Sequence, residues 1–373
     1  MEQHIEFRIG DKSYGARHAL VIAELGAGHG ADRTKAVELV DAAAQAGADC
    51  IKFQMVYADE ILHPKTGYVP LPGGRIRLYD RFKQLEMPVD FFAEMKERVE
   101  KKGLLFLCAP FGLQSARDLR ALNPAALKIA SPELNYTALL REIASYNAPV
   151  ILSSGVSKLS DIEEALSTLS NVPVCLLHCV TAYPAPPREY NLRVSQSLSA
   201  VFGVPVGVSD HSMDAELVPS VAAAVGAAAV EKHFCLSRKD SGLDDPIALE
   251  PKDFAAMVKA IRETEAVAAA RGTCAALEEI KREHGRDTVE AVLGDGVKQL
   301  APSEEANYTR TNRSIHALCD IREGEIIARD MIACLRSEKA LRPGLPPSWE
   351  EKIIGRRAGA FIPAGEGVRF EDV

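Results

Sequence analysis

Short apolar runs alternate with longer amphipathic stretches along the first two thirds of the chain. Stretches such as 33–47 and 90–103 carry apolar residues at helical spacing. Apolar strands that alternate with helices predict a parallel sheet covered on both faces. The apolar runs that we interpret as strands are 18–24, 48–54, 103–110, 126–131, 148–154, 172–178, 204–210 and 227–234.

Eight repeats of strand and helix favour an α/β fold of the closed (β/α)8 type, the TIM barrel. The alternative is a doubly wound open sheet, but the glycine-rich G-x-G-x-x-G turn of that fold is missing after the first run. Residues 253–272 have the pattern of the eighth helix. We therefore predict a TIM-barrel domain over residues 1–272.

The rest of the chain has a different character. Residues 276–294 have a polar helical pattern and 294–311 resemble a connection, so we predict a helical linker over 273–307. Beyond it, glycine and proline interrupt every short segment. This composition predicts a small, turn-rich domain over residues 308–373.

Charge and composition narrow the function classes. A net charge of −8 argues against general binding of nucleic acids or anionic membranes. Residues 1–12 are too charged for a secretory signal, and no apolar run approaches the roughly 20 residues of a membrane span. The eight cysteines form no C-x-x-C pair, and Cys175 and Cys179 lie in an apolar run. We expect a reduced, cytoplasmic protein that acts on small molecules.

Polar residues cluster where the apolar runs end, which is where a barrel of this type carries its active site. The run 227–234 ends in Glu231, Lys232 and His233, and burying such groups without partners costs several kcal/mol. A lone serine at such a place is more often a helix N-cap, and His178 is more often a core histidine. The joint occurrence nevertheless predicts a site at one mouth. The further candidates are Glu24, Lys52, Gln54, Lys128, Ser131, Ser153, Ser154, Gly155, His178, Ser209, Asp210 and His211.

These residue types suggest two kinds of chemistry. Lys52, Lys128 and the hydroxyl groups suit a phosphate or carboxylate, although the lysines could instead form structural ion pairs with Glu24 or Glu231. His211 and His233 could bind one divalent metal and leave open positions for a substrate. They could equally serve as acid and base, because their spacing does not decide between the two roles.

Seven segments of the barrel stand out as motifs. They are AELGAGH (23–29), AGADCIKFQ (46–54), KIASPEL (128–134), ILSSGVS (151–157), LLHCVTAYPAPPREYNL (176–192), GVSDHS (207–212) and EKHF (231–234). These segments closely resemble the sialic acid (N-acetylneuraminate) synthase family, which includes legionaminic and pseudaminic acid synthases and spore-coat-polysaccharide members. Residues 312–327 and 353–368 resemble the antifreeze-like (SAF) domain of these enzymes.

The resemblance implies that phosphoenolpyruvate is condensed with an open-chain N-acyl hexosamine, similar to N-acetylmannosamine, to give a nonulosonic acid and phosphate. It implies Mn²⁺, or Mg²⁺ or Co²⁺, at His211 and His233. Glu24 is the candidate that stabilises the cationic C2 and steers water, and Glu231 is the alternative. Phosphoenolpyruvate is matched by Lys52, Lys128, Ser131, Ser153, Ser154, Gly155 and Ser209. The sugar is matched by Gln54, Glu133, Tyr183, Asp244 and Arg313.

The resemblance also implies a domain-swapped homodimer, in which the small domain of one subunit caps the other barrel and brings Arg313 to the sugar. Several positions depart from the family pattern and suggest a divergent member. These are Gly28 for asparagine, Ala109 for threonine, Gly112 for aspartate, Thr181 for asparagine or serine, and Leu243 for proline. Two alternatives remain: a Schiff-base lyase or aldolase that uses Lys52 or Lys128, and a non-catalytic sugar-binding homologue.

Overall fold

The structure is a computed structural model and describes residues 5–71 and 74–373. The strands, in chain order, are β1 (Phe7–Ile9), β2 (Lys12–Tyr14), β3 (Leu20–Gly26), β4 (Cys50–Met55), β5 (Tyr68–Leu71), β6 (Gly74–Arg77), β7 (Leu105–Pro110), β8 (Leu127–Ile129), β9 (Val150–Ser153), β10 (Val174–Cys179), β11 (Val206–Asp210), β12 (Ala229–His233), β13 (Arg313–Ala317) and β14 (Ile332–Arg336). The helices are α1 (Arg33–Gln45), α2 (Ala58–Ile61), α3 (Leu78–Leu85), α4 (Val89–Lys101), α5 (Leu113–Ala121), α6 (Thr137–Ala144), α7 (Leu159–Thr168), α8 (Val194–Phe202), α9 (Leu217–Ala224), α10 (Pro251–Arg271), α11 (Thr273–His284), α12 (Arg286–Leu293) and α13 (Glu350–Ile353).

Eight parallel strands form a nearly closed barrel. The order is β7-β4-β3-β12-β11-β10-β9-β8, and β7 and β8 lie in contact at the seam without joining the ladder. The first barrel strand, β3, pairs with the last, β12, with Ile22 opposite Glu231. This closure confirms the predicted TIM barrel and excludes the open sheet. All eight apolar runs become barrel strands.

The interior of the barrel is packed below the mouth. Leu20, Ile22, Ile151 and Leu177 are buried in one cluster, to which the N-terminal hairpin of β1 and β2 contributes Phe7, Ile9 and Tyr14. The hairpin therefore closes the amino end of the strands, as expected for a filled barrel rather than a channel. The carboxyl end is left for a site.

Helices cover the outside of the barrel through one apolar face each. In α1, Ala36, Leu39, Val40 and Ala43 are buried at helical spacing, and the Asp32 side chain caps the first turn. The predicted eighth helix forms as α10. Gly285, at a φ of 90°, divides the predicted polar helix into α11 and α12, which pack on α9. Within the described residues, no helix is long and apolar enough for a membrane crossing.

The C-terminal domain (residues 312–373) contains little regular structure, as its composition predicts. β13 and β14 form an antiparallel pair, and isolated bridges join the remaining turns. Ile315, Ile321, Ile327 and Ile362 are fully buried in its core. The domain packs on the mouth side of the barrel, where β14 contacts α2.

Candidate active site

Four charged side chains meet at the bottom of the barrel mouth and are almost fully buried. The Lys52 Nζ lies 3.2 Å from Glu24 Oε2 and 3.1 Å from Glu231 Oε1. The Lys128 Nζ lies 3.9 Å from Glu231 Oε1. The structural ion pairs considered as the alternative for the lysines are therefore present. They do not exclude anion binding, because both ammonium groups lie at the mouth.

Burial and mutual charge separate the pKa values within this cluster. Burial raises the pKa of Glu24 to about 7, with Lys52 opposing the shift and Glu231 adding to it. Burial alone would also raise the pKa of Glu231, but Lys128 and Lys52 lower it to about 2. Burial lowers the pKa of Lys128 to about 8. At neutral pH the cluster is thus slightly positive, which favours an anion.

Hydroxyl groups lie next to Lys128 and Glu231 and at the turn after β9. Lys128 donates to Ser153 Oγ at 2.6 Å, Ser209 Oγ donates to Glu231 at 3.1 Å, and the Gly155 N–H donates to Ser131 Oγ at 2.9 Å. The structure therefore brings together the residues predicted to bind phosphoenolpyruvate. Ser154 differs from the rest, because its hydroxyl donates to the Leu177 carbonyl of β10.

Two histidines lie above the charged cluster. The ring centroids of His211 and His233 are 5.4 Å apart. His211 donates its Nδ1 proton to the Val180 carbonyl at 2.9 Å, which leaves Nε2 for another ligand. Tyr183 stacks on His211 with its hydroxyl 3.4 Å from Nε2, and an Asp244 oxygen lies 3.9 Å from His233 Nδ1. The arrangement is compatible with a metal site and with acid–base chemistry.

Gln54 orients the acidic centre by donating to Glu24 Oε1 at 2.6 Å. Gln54, His233 and Asp244 line a cavity of about 30 Å³. Gly28 and Leu243, two of the positions that differ from the family pattern, line the same cavity. Such a volume holds only one or two waters. The space beside Gln54, His233 and Asp244 is therefore small.

Glu133 lies at the junction between the barrel and the C-terminal domain. Its carboxylate is 3.0 Å from Arg313 and 2.6 Å from Arg336. The side chains of Glu133 and Arg313 are fully buried, and that of Arg336 is slightly exposed. The Arg313 guanidinium also donates to the carbonyls of Glu60 and Phe111. Exchange of this domain between two subunits would reproduce the same contacts in trans, so the homodimer stays a prediction.

Arg336 is a site residue that the sequence analysis missed. It ends β14, an apolar strand that terminates in a charge, which is the same signal that identified the barrel residues. The composition of the C-terminal domain predicts turns rather than strands, so the sequence alone does not indicate that Arg336 faces the barrel.

Three strand-end residues face away from the mouth. Lys232 donates to Asp210 at 2.6 Å and to the Ser212 carbonyl at 2.6 Å, so this buried pair fixes the loop that carries His211. His178 is buried, and its Nε2 contacts the Tyr190 carbonyl. The interpretation of His178 as a core histidine is therefore correct, whereas the placement of Asp210 at the mouth was wrong, because alternate strand residues face opposite sides.

The departure at Gly112 is compensated from another helix. Gly112 precedes α5, and the Glu60 carboxylate accepts from Ser115 N–H at 3.1 Å and from its hydroxyl at 2.6 Å. A Cβ at Gly112 would collide with that carboxylate. Glu60 thus places a negative charge at the N-terminus of α5, beside the position where the resemblance leads us to expect an aspartate.

The sequence and the fold of this chain are similar to those of known proteins. The NeuB family matches residues 39–272, and the SAF domain matches residues 312–373. The spore coat polysaccharide biosynthesis protein SpsE of Bacillus subtilis (strain 168) is 34% identical over 98% of this chain and 97% of its own length. Its crystal structure has a TM-score of 0.81 at 33% identity, covering 99% of both chains.

Two further relatives carry names that state an activity. The N,N'-diacetyllegionaminic acid synthase of Campylobacter jejuni is 32% identical over 92% of this chain and 96% of its own. The N-acetylneuraminic acid (sialic acid) synthetase of Leptospira borgpetersenii, solved with citrate, has a TM-score of 0.63 at 31% identity, covering 82% of this chain and 98% of that one. These matches confirm the resemblance and the fold expected from the sequence.

The Glu60–Gly112 contact predicts a non-additive pair of substitutions. Glu60→Ala should destabilise the protein by about 1–2 kcal/mol, because α5 loses its N-terminal acceptor. Gly112→Asp alone should also destabilise it, through collision with Glu60. The double variant should be more stable than either single variant, because the new carboxylate then occupies the emptied position.

Thermal unfolding of the four proteins measures this cycle. Asp59→Ala, on the same short helix, is the control, since Asp59 contacts Tyr79 and Lys83 at the surface and not α5. Additive destabilisation in the double variant would contradict the compensation.

Proposed function

Because the chain belongs to the NeuB family, we propose that it condenses phosphoenolpyruvate with an open-chain N-acyl hexosamine to give a nonulosonic acid and inorganic phosphate. The observation that carries the proposal is the buried cluster of Glu24, Lys52, Lys128 and Glu231 below two histidines. Its slightly positive charge suits a substrate that has both a phosphate and a carboxylate. The names of the relatives support synthesis of a nonulosonic acid.

The lysines and hydroxyl groups are the proposed site of phosphoenolpyruvate. Charge-assisted hydrogen bonds from Lys52 and Lys128 would take over from their contacts with the carboxylates. Ser131, Ser153 and Ser209 lie within hydrogen-bond distance of members of the same network. The hexosamine would then lie above, against Gln54, Tyr183 and Asp244, with Glu133 and Arg313 at the rim.

We propose that His211 and His233 hold a divalent ion, with Mn²⁺ as the first candidate and Mg²⁺ or Co²⁺ as alternatives. The two imidazoles fit such an ion, because the Val180 carbonyl fixes the Nδ1 proton of His211 and burial lowers the pKa of His233. Burial opposes the shift, but Cys179 and the Val180 carbonyl raise the pKa of His211 to about 9, so binding of the ion at Nε2 would release a proton. The neighbouring Asp244 carboxylate adds negative charge. When bound, the ion would polarise the aldehyde oxygen of the sugar as a Lewis acid.

The two carboxylates divide the remaining chemistry, because their pKa values are pushed apart. C3 of phosphoenolpyruvate forms a bond to C1 of the aldehyde, and positive charge develops at C2. Glu231, which stays ionised, stabilises that charge. Glu24 takes a proton from the water that adds to C2 and returns it to the oxygen on the former aldehyde carbon, which becomes a hydroxyl group. The C2–O bond to phosphate then breaks as the remaining hydroxyl group on C2 becomes the ketone, and its proton leaves with the phosphate.

Phosphate release tests the proposed function. The purified protein with Mn²⁺ should release phosphate from phosphoenolpyruvate only when a suitable N-acyl hexosamine is present, and EDTA or His233→Ala should abolish release. His18→Ala, which changes an exposed residue just before β3 at the amino end of the barrel, should behave as wild type. Sugar binding without release would favour the non-catalytic homologue. Borohydride trapping of a keto acid on Lys52 or Lys128 would favour the Schiff-base lyase.

The pH dependence tests the division of roles. The kcat/KM for phosphoenolpyruvate should rise as pH increases through about 7, because a base must be ionised, and fall above about 8, where Lys128 loses its proton. Glu24→Gln should lower kcat at least 100-fold and remove the rising limb. If kcat/KM of the Glu24→Gln variant still rises through pH 7 as in the wild type, the base is a group other than Glu24.

We also propose that two chains exchange their C-terminal domains, so that Arg313 acts in trans. Arg313→Ala should raise the KM for the sugar at least tenfold and that for phosphoenolpyruvate much less. Coexpression of Arg313→Ala with His233→Ala, followed by purification through one tag on each chain, should then restore the wild-type sugar KM at one of the two sites. A monomeric mass by light scattering, or a doubly tagged species with a raised KM, would contradict the exchange.

A further inference from the structure

The turn after β9 contains a strained residue. Val156 follows Gly155 and is fully buried with a φ of 43°. A β-branched residue in this left-handed region is a conformational outlier that costs of order 1–3 kcal/mol and persists only when its surroundings enforce it. The question is therefore which groups enforce it.

Two side chains from outside the barrel hold the Val156 backbone. The Val156 N–H donates to Glu304 Oε1 at 2.7 Å, and its carbonyl accepts from Asn312 Nδ2 at 3.1 Å. Glu304 lies in the connecting segment (residues 294–311), and Asn312 begins the C-terminal domain. The backbone N–H and carbonyl of Val156 are thus both hydrogen-bonded to side chains of residues that follow the barrel in sequence.

Glu304 is fully engaged by backbone N–H groups. Its Oε1 also accepts from Thr181 N–H at 2.7 Å, and its Oε2 accepts from Ala301 N–H at 3.1 Å. The carboxylate is only 1% exposed. Lys298 of the same segment donates to the Ser154 carbonyl at 3.4 Å and offsets part of the negative charge. A buried carboxylate that accepts from one backbone N–H on the β9 loop and one on the β10 loop determines how these loops lie against each other.

The same turn carries groups of the anion site. Ser153 accepts from Lys128, and the Gly155 N–H donates to Ser131. A side chain at Gly155 would collide with Thr181 Oγ1 and Ser131 Oγ, so the packing around Gly155 and Thr181 leaves the turn little freedom. Relaxation of Val156 to an ordinary φ would rotate the peptide that joins it to Gly155 and displace these groups.

We propose that Glu304 and Asn312 are positioning residues for the phosphate of phosphoenolpyruvate. They hold Val156 in its left-handed conformation and thereby set the turn from Ser153 to Gly155, and neither side chain contacts the reacting atoms. The inference rests on the proposed function. Because Arg313 follows Asn312 and pairs with Glu133, adjacent residues contact the phosphate turn and the sugar rim. Docking of the C-terminal domain and formation of the phosphate site are therefore linked.

Calorimetric titration with phosphoenolpyruvate tests the role of Glu304. Glu304→Ala should raise the Kd at least tenfold, while the sugar KM, measured by phosphate release, changes less than twofold. Glu304→Gln should raise the Kd less than Glu304→Ala does, because its amide oxygen can still accept from both Val156 and Thr181 and only the Ala301 N–H loses its acceptor. Glu189→Ala is the matched control: Glu189 accepts from Ser303 N–H at 3.1 Å, next to Glu304, without contacting the turn.

Asn312→Asp keeps the inference testable if Glu304→Ala does not fold. The substitution is isosteric and replaces the donor to the Val156 carbonyl with a carboxylate oxygen that repels this carbonyl, whereas the other oxygen at position 312 can still accept from Thr309 N–H. It should raise the Kd for phosphoenolpyruvate threefold or more. An unchanged Kd in both variants, or an equal loss in Glu189→Ala, would overturn the positioning role.

Amide hydrogen exchange separates this outcome from failure of the proposed function. In the ligand-free protein, Glu304→Ala and Asn312→Asp should speed exchange in a peptide covering residues 153–157, and Glu189→Ala should not. If the wild type binds no phosphoenolpyruvate but the exchange result holds, the proposed substrate is wrong and the control of the turn stands. If exchange in this peptide is unchanged, the inference fails whatever the substrate.

Discussion

The position of Lys52 between Glu24 and Glu231 is the constraint on which the rest of the mouth depends. Each of these charges would cost several kcal/mol to bury alone, and together with Lys128 they are tolerated because each lies next to an opposite charge. The four residues come from β3, β4, β8 and β12, which only barrel closure brings together. A shift of one residue in any of these strands would turn its charge toward the helices, so the cluster also specifies the register.

The same cluster explains how two similar carboxylates acquire different properties. Glu231 lies near both lysines and stays ionised, whereas Glu24 receives a single lysine contact and a hydrogen bond from Gln54. Burial affects both groups, and the number of neighbouring cations decides the direction of each shift. A barrel mouth can thus place two carboxyl groups with different pKa values on either side of one lysine.

The site is incomplete without the chain beyond the barrel. Glu133 has its charge balanced by Arg313 and Arg336 of the C-terminal domain, and the β9 turn is held by Glu304 and Asn312. These contacts join residues more than 140 positions apart in the sequence. Within the barrel, the first turn of α5 likewise depends on a residue that is remote in sequence. Glu60 accepts from Ser115 there, next to Gly112, which has no side chain of its own.

The sequence by itself determined the eight strands, the helices between them and the side of the barrel that carries the chemistry. Apolar runs and helical periodicity are local properties, and the polar residues at the ends of the runs pointed to Lys52, Lys128, Glu231 and His233. Only the tertiary structure decided that Lys232 and Asp210 face away, that Ser154 bonds β10, and that Arg336, Glu304 and Asn312 complete the mouth. The reason is physical: spacing along a strand specifies which side chains share a face, but the partner of a buried charge is whichever group the closed fold brings within hydrogen-bond distance.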